Sequence, residues 1–192
     1  MKNQVRIIAG HWRGRKLFFP SIAGLRPTPD RVREMVFNWL QYDIVSARCL
    51  DLFAGSGALG FEATSREANF TLLVENDTAA SAAIRKNVKE FNAIGKIKLE
   101  QQDVEEFLKG PSETFDLVFL DPPFGQGLVE CCCKALENFG WLSAQSKIYV
   151  EMEKAAALLK TPDNWQQLKQ KTVGTVHCYL FERKDKTNSI YE

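Results

Sequence analysis

The sequence has only two histidines in 192 residues, no cysteine pattern of a familiar kind and no long apolar run. No stretch approaches the roughly 20 apolar residues that cross a bilayer. The N-terminal MKNQVRIIAGHWRGRK lacks the apolar core and small-residue cleavage site of a secretory signal. A cytoplasmic protein with no membrane contact is therefore expected. The five cysteines, Cys49, Cys131, Cys132, Cys133 and Cys178, are odd in number and three of them adjoin, which suits neither a disulfide framework nor zinc spacing. On a helix three consecutive side chains point about 100° apart and cannot converge on one ion, so no metal is expected. Internal repeats, low-complexity tracts and long linkers are also absent. The length suits one sizeable domain, with room for a small appendage.

Charge of either sign is nearly balanced, at a net +1, but its distribution is not even. Within residues 1–45, Lys2, Arg6, Arg13, Arg15, Lys16, Arg26, Arg31 and Arg33 outweigh Asp30, Glu34 and Asp43 by +5, and the remainder carries −4. A polyanion would prefer the N-terminal end.

VRIIAG and RKLFFP, separated by His11 to Gly14, predict a β-hairpin. After GLRPTP, the recurrence of Val32, Met35, Val36, Trp39 and Leu40 predicts an amphipathic helix with Pro29 in its first turn. From Arg48 onward, short apolar strands alternate with helices: CLDLF, FTLLVE, KIKLEQ, FDLVFLD and KIYVEME are the strands. The helices start near Ala58 and span about 79–91, 104–108 and 128–139. That alternation predicts an α/β fold with a parallel sheet covered on both faces. WQQLKQKTVGTVHCYLFERK turns at Gly174 without a helix between its halves. An antiparallel hairpin closing one edge of a seven-strand, mostly parallel sheet is the expectation. The boundaries expected are an N-terminal hairpin extension over 1–27, the α/β domain over 28–184 and a polar tail over 185–192.

The first strand of the α/β region runs into DLFAGSGALG, where Gly55, Gly57 and Gly60 fit G-x-G-x-x-G between a strand and a helix. Glycine lets the backbone turn sharply and approach a ligand, and the helix N-terminus supplies free amide donors. Glu75 ends the next strand about 20 residues on, where a carboxylate accepts from ribose hydroxyls. The pattern by itself serves a dinucleotide as well as S-adenosyl-L-methionine. Asp51 and Phe53 extend it to D-x-F-x-G-x-G, which resembles the first motif of Rossmann-like methyltransferases. That resemblance implies an S-adenosyl-L-methionine site of Asp51, Phe53, Gly55, Gly57, Glu75, Asn76, Asp103 and Val104. In it, Asp51 holds the cofactor's amino group directly or through water. Asp103 accepts from the adenine amino group beside the Val104 amide, although Asp103 before VEEF serves equally as a helix N-cap.

The stretch FDLVFLDPPFGQG ends a buried-looking strand on Asp121, Pro122, Pro123 and Phe124. A strand-end turn explains the prolines but not the aspartate and the ring together. The run is similar to the [DNS]-P-P-[FYW] signature of methyltransferases acting on exocyclic amines of nucleic-acid bases or on similar planar amides. An aromatic exocyclic amine has its lone pair delocalised into the ring and is a poor nucleophile. Acceptors fixed around it draw it towards a tetrahedral geometry and stabilise the positive charge that develops as a methyl arrives. Asp121 and the Pro122 carbonyl are the candidate acceptors. Proline fixes φ and removes a competing N–H, and Phe124 offers a stacking face for a splayed base. His11 and His177 have no role in such chemistry.

RIIAGHWRGRKL and GLRPTPDRVREMVFNWL, followed in order by DLFAGSGALGFEA and LDPPF, resemble the RsmD family of 16S ribosomal RNA guanine-N2 methyltransferases over nearly the whole chain. One departure is Glu67 in SREANF, at a turn that often carries glycine. The resemblance implies a class I methyltransferase fold and methylation of the guanine conventionally numbered 966, on an assembled or partly assembled small subunit. In similar enzymes the segment before the first helix folds over the methionine end of the cofactor. Thr28 would then bond its carboxylate and Arg31 neutralise it, while Arg31 or Arg33 equally pairs with Asp30 or Glu34. Arg6, Arg13, Arg15 and Lys16 are candidates to grip phosphates, with Trp12 available to stack on an unpaired base.

Three other readings share part of this pattern. A DNA adenine-N6 methyltransferase would use the same DPPF chemistry but needs groove-reading elements for which the chain has no separate domain. A nicotinamide-dependent oxidoreductase leaves DPPF unexplained. A non-catalytic RNA-binding module leaves the cofactor-shaped constellation unexplained. Nothing in the sequence calls for more than a monomer.

Overall fold

The computed structural model describes residues 3–22, 27–153 and 159–185. Arg26 and the tail beyond Asp185 lie outside the described residues. The hairpin of β1 (Asn3–Arg6) and β2 (Lys16–Phe19) comes first, and helix α1 (Asp30–Trp39) follows. Then β3 (Arg48–Asp51), α2 (Ala58–Ser65), β4 (Phe70–Val74), α3 (Thr78–Glu90), β5 (Ile97–Glu100), α4 (Val104–Lys109), β6 (Phe115–Leu120) and α5 (Leu128–Asn138) alternate. Three strands close the chain: β7 (Leu142–Glu153), β8 (Trp165–Val173) and β9 (Val176–Arg183).

The seven strands β3 to β9 form one sheet in the order β5-β4-β3-β6-β7-β9-β8. The pairs among β3 to β7 are parallel, and β9 enters antiparallel between β7 and the edge strand β8. The order reverses at β3, which has β4 on one side and β6 on the other. Open α/β sheets bind ligands at the carboxyl ends of the strands flanking such a reversal. Asp51 ends β3, and Asp121 follows the last residue of β6.

Strand alternation assigns the two faces. Leu117 and Phe119 of β6 join the core beneath α1, whereas Val118 and Leu120 join the core beneath α4 and α5. The period of two carries Asp121 to the α1 face. Asp51, two residues beyond Cys49 of the α1-side core, lies on the same face.

The N-terminal hairpin shares a third apolar cluster with α2 and α3, in which Val5, Ile7, Leu17 and Phe19 meet Phe61, Ile84 and Phe91. Its turn lies directly on the C-terminal end of α2. His11 N donates to Ser65 O at 2.8 Å and Trp12 N to Ser65 Oγ at 2.9 Å. Gly10, at φ +78°, is the only residue type that fits here, since a Cβ would sit 1.7 Å from Ser65 O.

Two details depart from the sequence reading. β7 begins at Leu142 and not at Lys147, because Ser143 to Ser146 form an irregularity in the pairing with β6 and Ser146 Oγ donates to Phe115 O at 2.6 Å. Pro29 occupies the N-cap position of α1, one residue before the helix.

Candidate active site

The glycine loop joins β3 to α2 in a tight turn. Gly55 and Gly57 both have positive φ, +53° and +78°, which side-chain-bearing residues adopt at a cost. Gly60 has a different duty. A Cβ there would lie 2.2 Å from Leu73 Cδ2, so its absence lets α2 lie close against β4. The Gly60 amide donates to Asp51 Oδ2 at 3.2 Å, tying the buried carboxyl at the end of β3 to the start of α2. Phe53, half-buried, rests on the core beneath α4 and α5.

The Glu75 carboxylate braces the loop from β4. Its Oε2 accepts from Gly55 N at 2.7 Å and its Oε1 from Asp77 N at 2.8 Å. Each carboxylate oxygen has a second acceptor direction, so both remain able to take a ligand hydroxyl. Asn76 is exposed beside it. Asp103 is the N-cap of α4, its Oδ1 accepting from Glu105 N at 2.8 Å and Glu106 N at 3.3 Å. Both bonds use one oxygen, which leaves Oδ2 directed by the cap and able to accept a further donor. Val104 is buried beneath it.

Asp121 lies between Thr28 on the α1 side and Glu151 on β7. Leu120 is in register with Val150, so the next rung of the ladder sets Asp121 beside Glu151 on one face. Thr28 Oγ1 donates to Asp121 Oδ2 at 3.3 Å. Tyr149 donates its hydroxyl to Glu151 Oε1 at 2.8 Å. Pro122 is buried, whereas Phe124 is 43% exposed and presents its ring at the sheet edge.

Three carboxyl groups thus line the carboxyl edge across β3, β6 and β7. Burial pushes Asp51 up to about 7, and the charges of Asp121 and Glu75 add to it against the Gly60 amide. Burial likewise raises Asp121 to about 6, opposed by the Thr28 hydroxyl. Glu151 rises to about 8 through burial and the charge of Asp121, opposed by Tyr149. Burial and mutual repulsion thus disfavour simultaneous ionisation, and Asp121 and Glu151 together hold a proton to higher pH than an ordinary carboxyl would.

These shifts have a consequence for stability. A carboxyl whose folded pKa lies above its unfolded value binds more protons when folded, so stability declines as pH rises between the two values. For Glu151 that window runs from about 4.5 to about 8. Glu151→Gln keeps an acceptor for Tyr149 and cannot ionise. It is expected to match the wild type in urea midpoint near pH 4.5 and to exceed it increasingly towards pH 8.5. Parallel curves across that range would refute the assignment.

The N-terminal basic residues occupy varied positions. Arg6, Arg13 and Lys16 are exposed. Arg15 folds back on α3, its guanidinium 3.8 Å from the Phe91 ring centre and its Nη2 donating to Glu90 O at 2.6 Å. Trp12 is half-buried, edge-on to Phe91 with ring centres 5.2 Å apart. Arg31 is exposed on the first turn of α1, while Arg33 is wholly buried and bonds Asp30 Oδ1 at 2.7 Å.

Sequence reasoning passed over Glu62 and Glu151. Glu62 was visible as the single acid of ALGFEATS, and Glu151 as an acid directly after the apolar run IYV in KIYVEME, where a carboxylate is costly unless it is partnered. Glu62 is fully buried and accepts from Ile8 N at 2.8 Å, Ala9 N at 3.0 Å and Arg66 Nε at 2.8 Å, with Arg33 Nη1 at 3.4 Å.

The family described as Conserved hypothetical protein 95 matches residues 5–182. The chain is 46% identical over 181 residues to ribosomal RNA small subunit methyltransferase D of Escherichia coli K12, covering 94% of this chain and 91% of that protein. It is also 46% identical over 184 residues to the protein of the same name from Haemophilus influenzae, covering 94% and 95%. The solved structure of yhhF from Escherichia coli superposes with a TM-score of 0.88 at 45% identity, over 96% of this chain and all of that one. The fold is that of class I methyltransferases, with Asp51, the glycine loop and Asp121 gathered at its switch point. The chain belongs to the RsmD family of ribosomal RNA small-subunit methyltransferases.

Proposed function

We propose that the protein transfers a methyl group from S-adenosyl-L-methionine to the exocyclic N2 amine of a guanine in 16S ribosomal RNA, on the small subunit or an assembly intermediate. The observation that carries this reading is the half-buried Asp121 carboxylate, held by Thr28 beside the buried, rigid Pro122 and next to the glycine loop. Family membership supports ribosomal RNA as the substrate class, and the resemblance of the N-terminal segments supports guanine 966 in particular.

The residues at the switch point fit the cofactor. Glu75 is braced by the loop amides with acceptor directions to spare for ribose hydroxyls, and Gly55 and Gly57 let the backbone approach a ligand. Asp51 at the end of β3 is suited to an ammonium group, and the capped Asp103 with the Val104 amide to an adenine edge. Arg31 is the candidate partner for a carboxylate. When bound, S-adenosyl-L-methionine supplies an electrophilic methyl on a sulfonium.

The chain's own part is positional and electrostatic. Asp121 and the Pro122 carbonyl accept the two amine protons, which raises lone-pair density on nitrogen and favours the charge that appears only in the transition state. Methyl transfer would leave the amine nitrogen cationic, with the C–S bond cleaved as the N–C bond forms, and the adjacent Asp121 carboxylate would accept the proton this nitrogen sheds and pass it to solvent. Phe124 stacks on the extruded base, and the basic hairpin holds flanking phosphates. Because Asp121 must be ionised, turnover falls as pH drops through about 6.

The test offers purified protein and radiolabelled cofactor to small subunits from cells lacking the endogenous enzyme, to naked 16S RNA and to duplex DNA. The products are identified by nucleoside mass spectrometry. N2-methylguanosine in ribosomal RNA is expected; N6-methyladenine in DNA as the sole product would reject the reading.

A further inference from the structure

Thr28 carries the one side-chain hydrogen bond described for the Asp121 carboxyl, and several constraints aim it there. It lies between Pro27 and Pro29 in the run Pro27-Thr28-Pro29, so its backbone is confined to an extended conformation by the proline that follows. Its carbonyl accepts from Arg33 Nε at 3.2 Å. Arg33 is itself fully buried and anchored by Arg6 O at 2.7 Å, Asp30 Oδ1 at 2.7 Å and Glu62 Oε2 at 3.4 Å. A threonine just before a helix often caps it. Here the N-cap is Pro29 and α1 has no side-chain cap, so the hydroxyl is not used by the helix.

A hydroxyl has a single proton to donate. If Thr28 gives it to Asp121, it cannot at the same time give it to a cofactor carboxylate, the role that family resemblance suggests. With Oδ2 engaged, the Asp121 carboxylate is fixed in rotation and Oδ1 is left for the acceptor amine. We propose that Thr28 is a positioning residue of the methyl-transfer site, its hydroxyl orienting Asp121 and not binding the cofactor. This inference rests on the amine-methyltransferase reading of the Asp121 site.

The charge around Asp121 makes that bond consequential. Asp51 from β3, Glu151 from β7 and Cys178 from β9 all face it, and each is neutral or anionic. From α1, the guanidinium of Arg33 is spent on Thr28 O, Arg6 O, Asp30 and Glu62. The Thr28 hydroxyl favours the ionised carboxylate against burial. Its removal therefore moves the Asp121 titration to higher pH.

The test compares Thr28→Val and Thr28→Ser with the wild type. In the ligand-free protein, the Asp121 carboxyl carbon is followed by NMR and assigned by its loss in Asp121→Asn. Its midpoint should rise in Thr28→Val and return in Thr28→Ser. At saturating cofactor, Thr28→Val should lower kcat about tenfold and shift the acid limb of kcat upward, and Thr28→Ser should restore both. Calorimetric Kd for S-adenosyl-L-methionine should stay within about twofold. An unmoved Asp121 midpoint would overturn the proposal, as would weakened cofactor binding at unchanged kcat, or a serine variant no better than valine. A wild-type protein that methylates no nucleic acid would instead reject the reading of the site, while the ligand-free titration would still judge the Thr28 contact.

Discussion

Asp121→Ala is expected to lower kcat by about 10²- to 10³-fold while leaving S-adenosyl-L-methionine affinity within a few-fold. In the proposed reaction the carboxylate works on the acceptor amine, and the cofactor-shaped features belong to other strand ends: Asp51 at β3, Glu75 after β4 and Asp103 before α4. Removing an acceptor aimed at charge that develops only in the transition state reduces kcat and kcat/KM together. The substitution also removes a partly buried carboxyl with a raised pKa, so folding stability at neutral pH should not fall in proportion to activity. Asp121→Asn separates shape from charge, because it retains a carbonyl acceptor and the Thr28 contact. It should recover part of the lost rate and lose the acid limb near pH 6. Single-turnover kinetics with calorimetric cofactor titrations would measure both. Near-wild-type kcat in the alanine variant would exclude Asp121 from the chemistry.

Glu62→Ala should produce the largest loss of stability, about 3–5 kcal/mol. The carboxylate is fully buried and serves three elements at once: the hairpin through the amides of Ile8 and Ala9, α1 through Arg33, and its own helix through Arg66. Deleting it leaves the fully buried Arg33 with less compensating charge and removes the acceptor of two hairpin amides. Arg33 also holds the Thr28 carbonyl, so local disorder there should reach Asp121 and lower activity even under conditions where the variant remains folded. Glu62→Gln, with one acceptor oxygen and no charge, should lie between. Urea midpoints at constant m report the change. A shift corresponding to less than about 1 kcal/mol would mean that the hairpin is held by its apolar contacts and its bonds to Ser65, without need of Glu62.

Much of the fold was legible because the strands are short, apolar and separated by helical periods. The hairpin at the start, the four strand and helix alternations from β3 to α5 and the turn at Gly174 all appear where those local patterns put them. The β7 start was not, since Leu142 to Ser146 reads as a polar loop and becomes strand only by pairing irregularly with Phe115 and Leu117. At the site, Asp51, the glycines and DPPF stand at strand ends, and strand ends are a local property. What Arg33 does was left open between pairing with Asp30 or Glu34. The structure gives it Asp30 together with a buried Glu62, a partner 29 residues away.

The sequence by itself determined the alternation of strands and helices, the glycine turn after β3 and the residue types at the carboxyl edge, because these follow from periods of two and 3.6 residues and from the backbone freedom of glycine and proline. Tertiary structure alone decided which of those residues act on one another. Sheet register sets Asp121 beside Glu151, the close approach of Gly10 to Ser65 binds the hairpin to α2, and Glu62 draws Arg33 inward. Burial then does what no local pattern can specify: by withdrawing water from three neighbouring carboxyls, it raises all three above the ordinary carboxylate range.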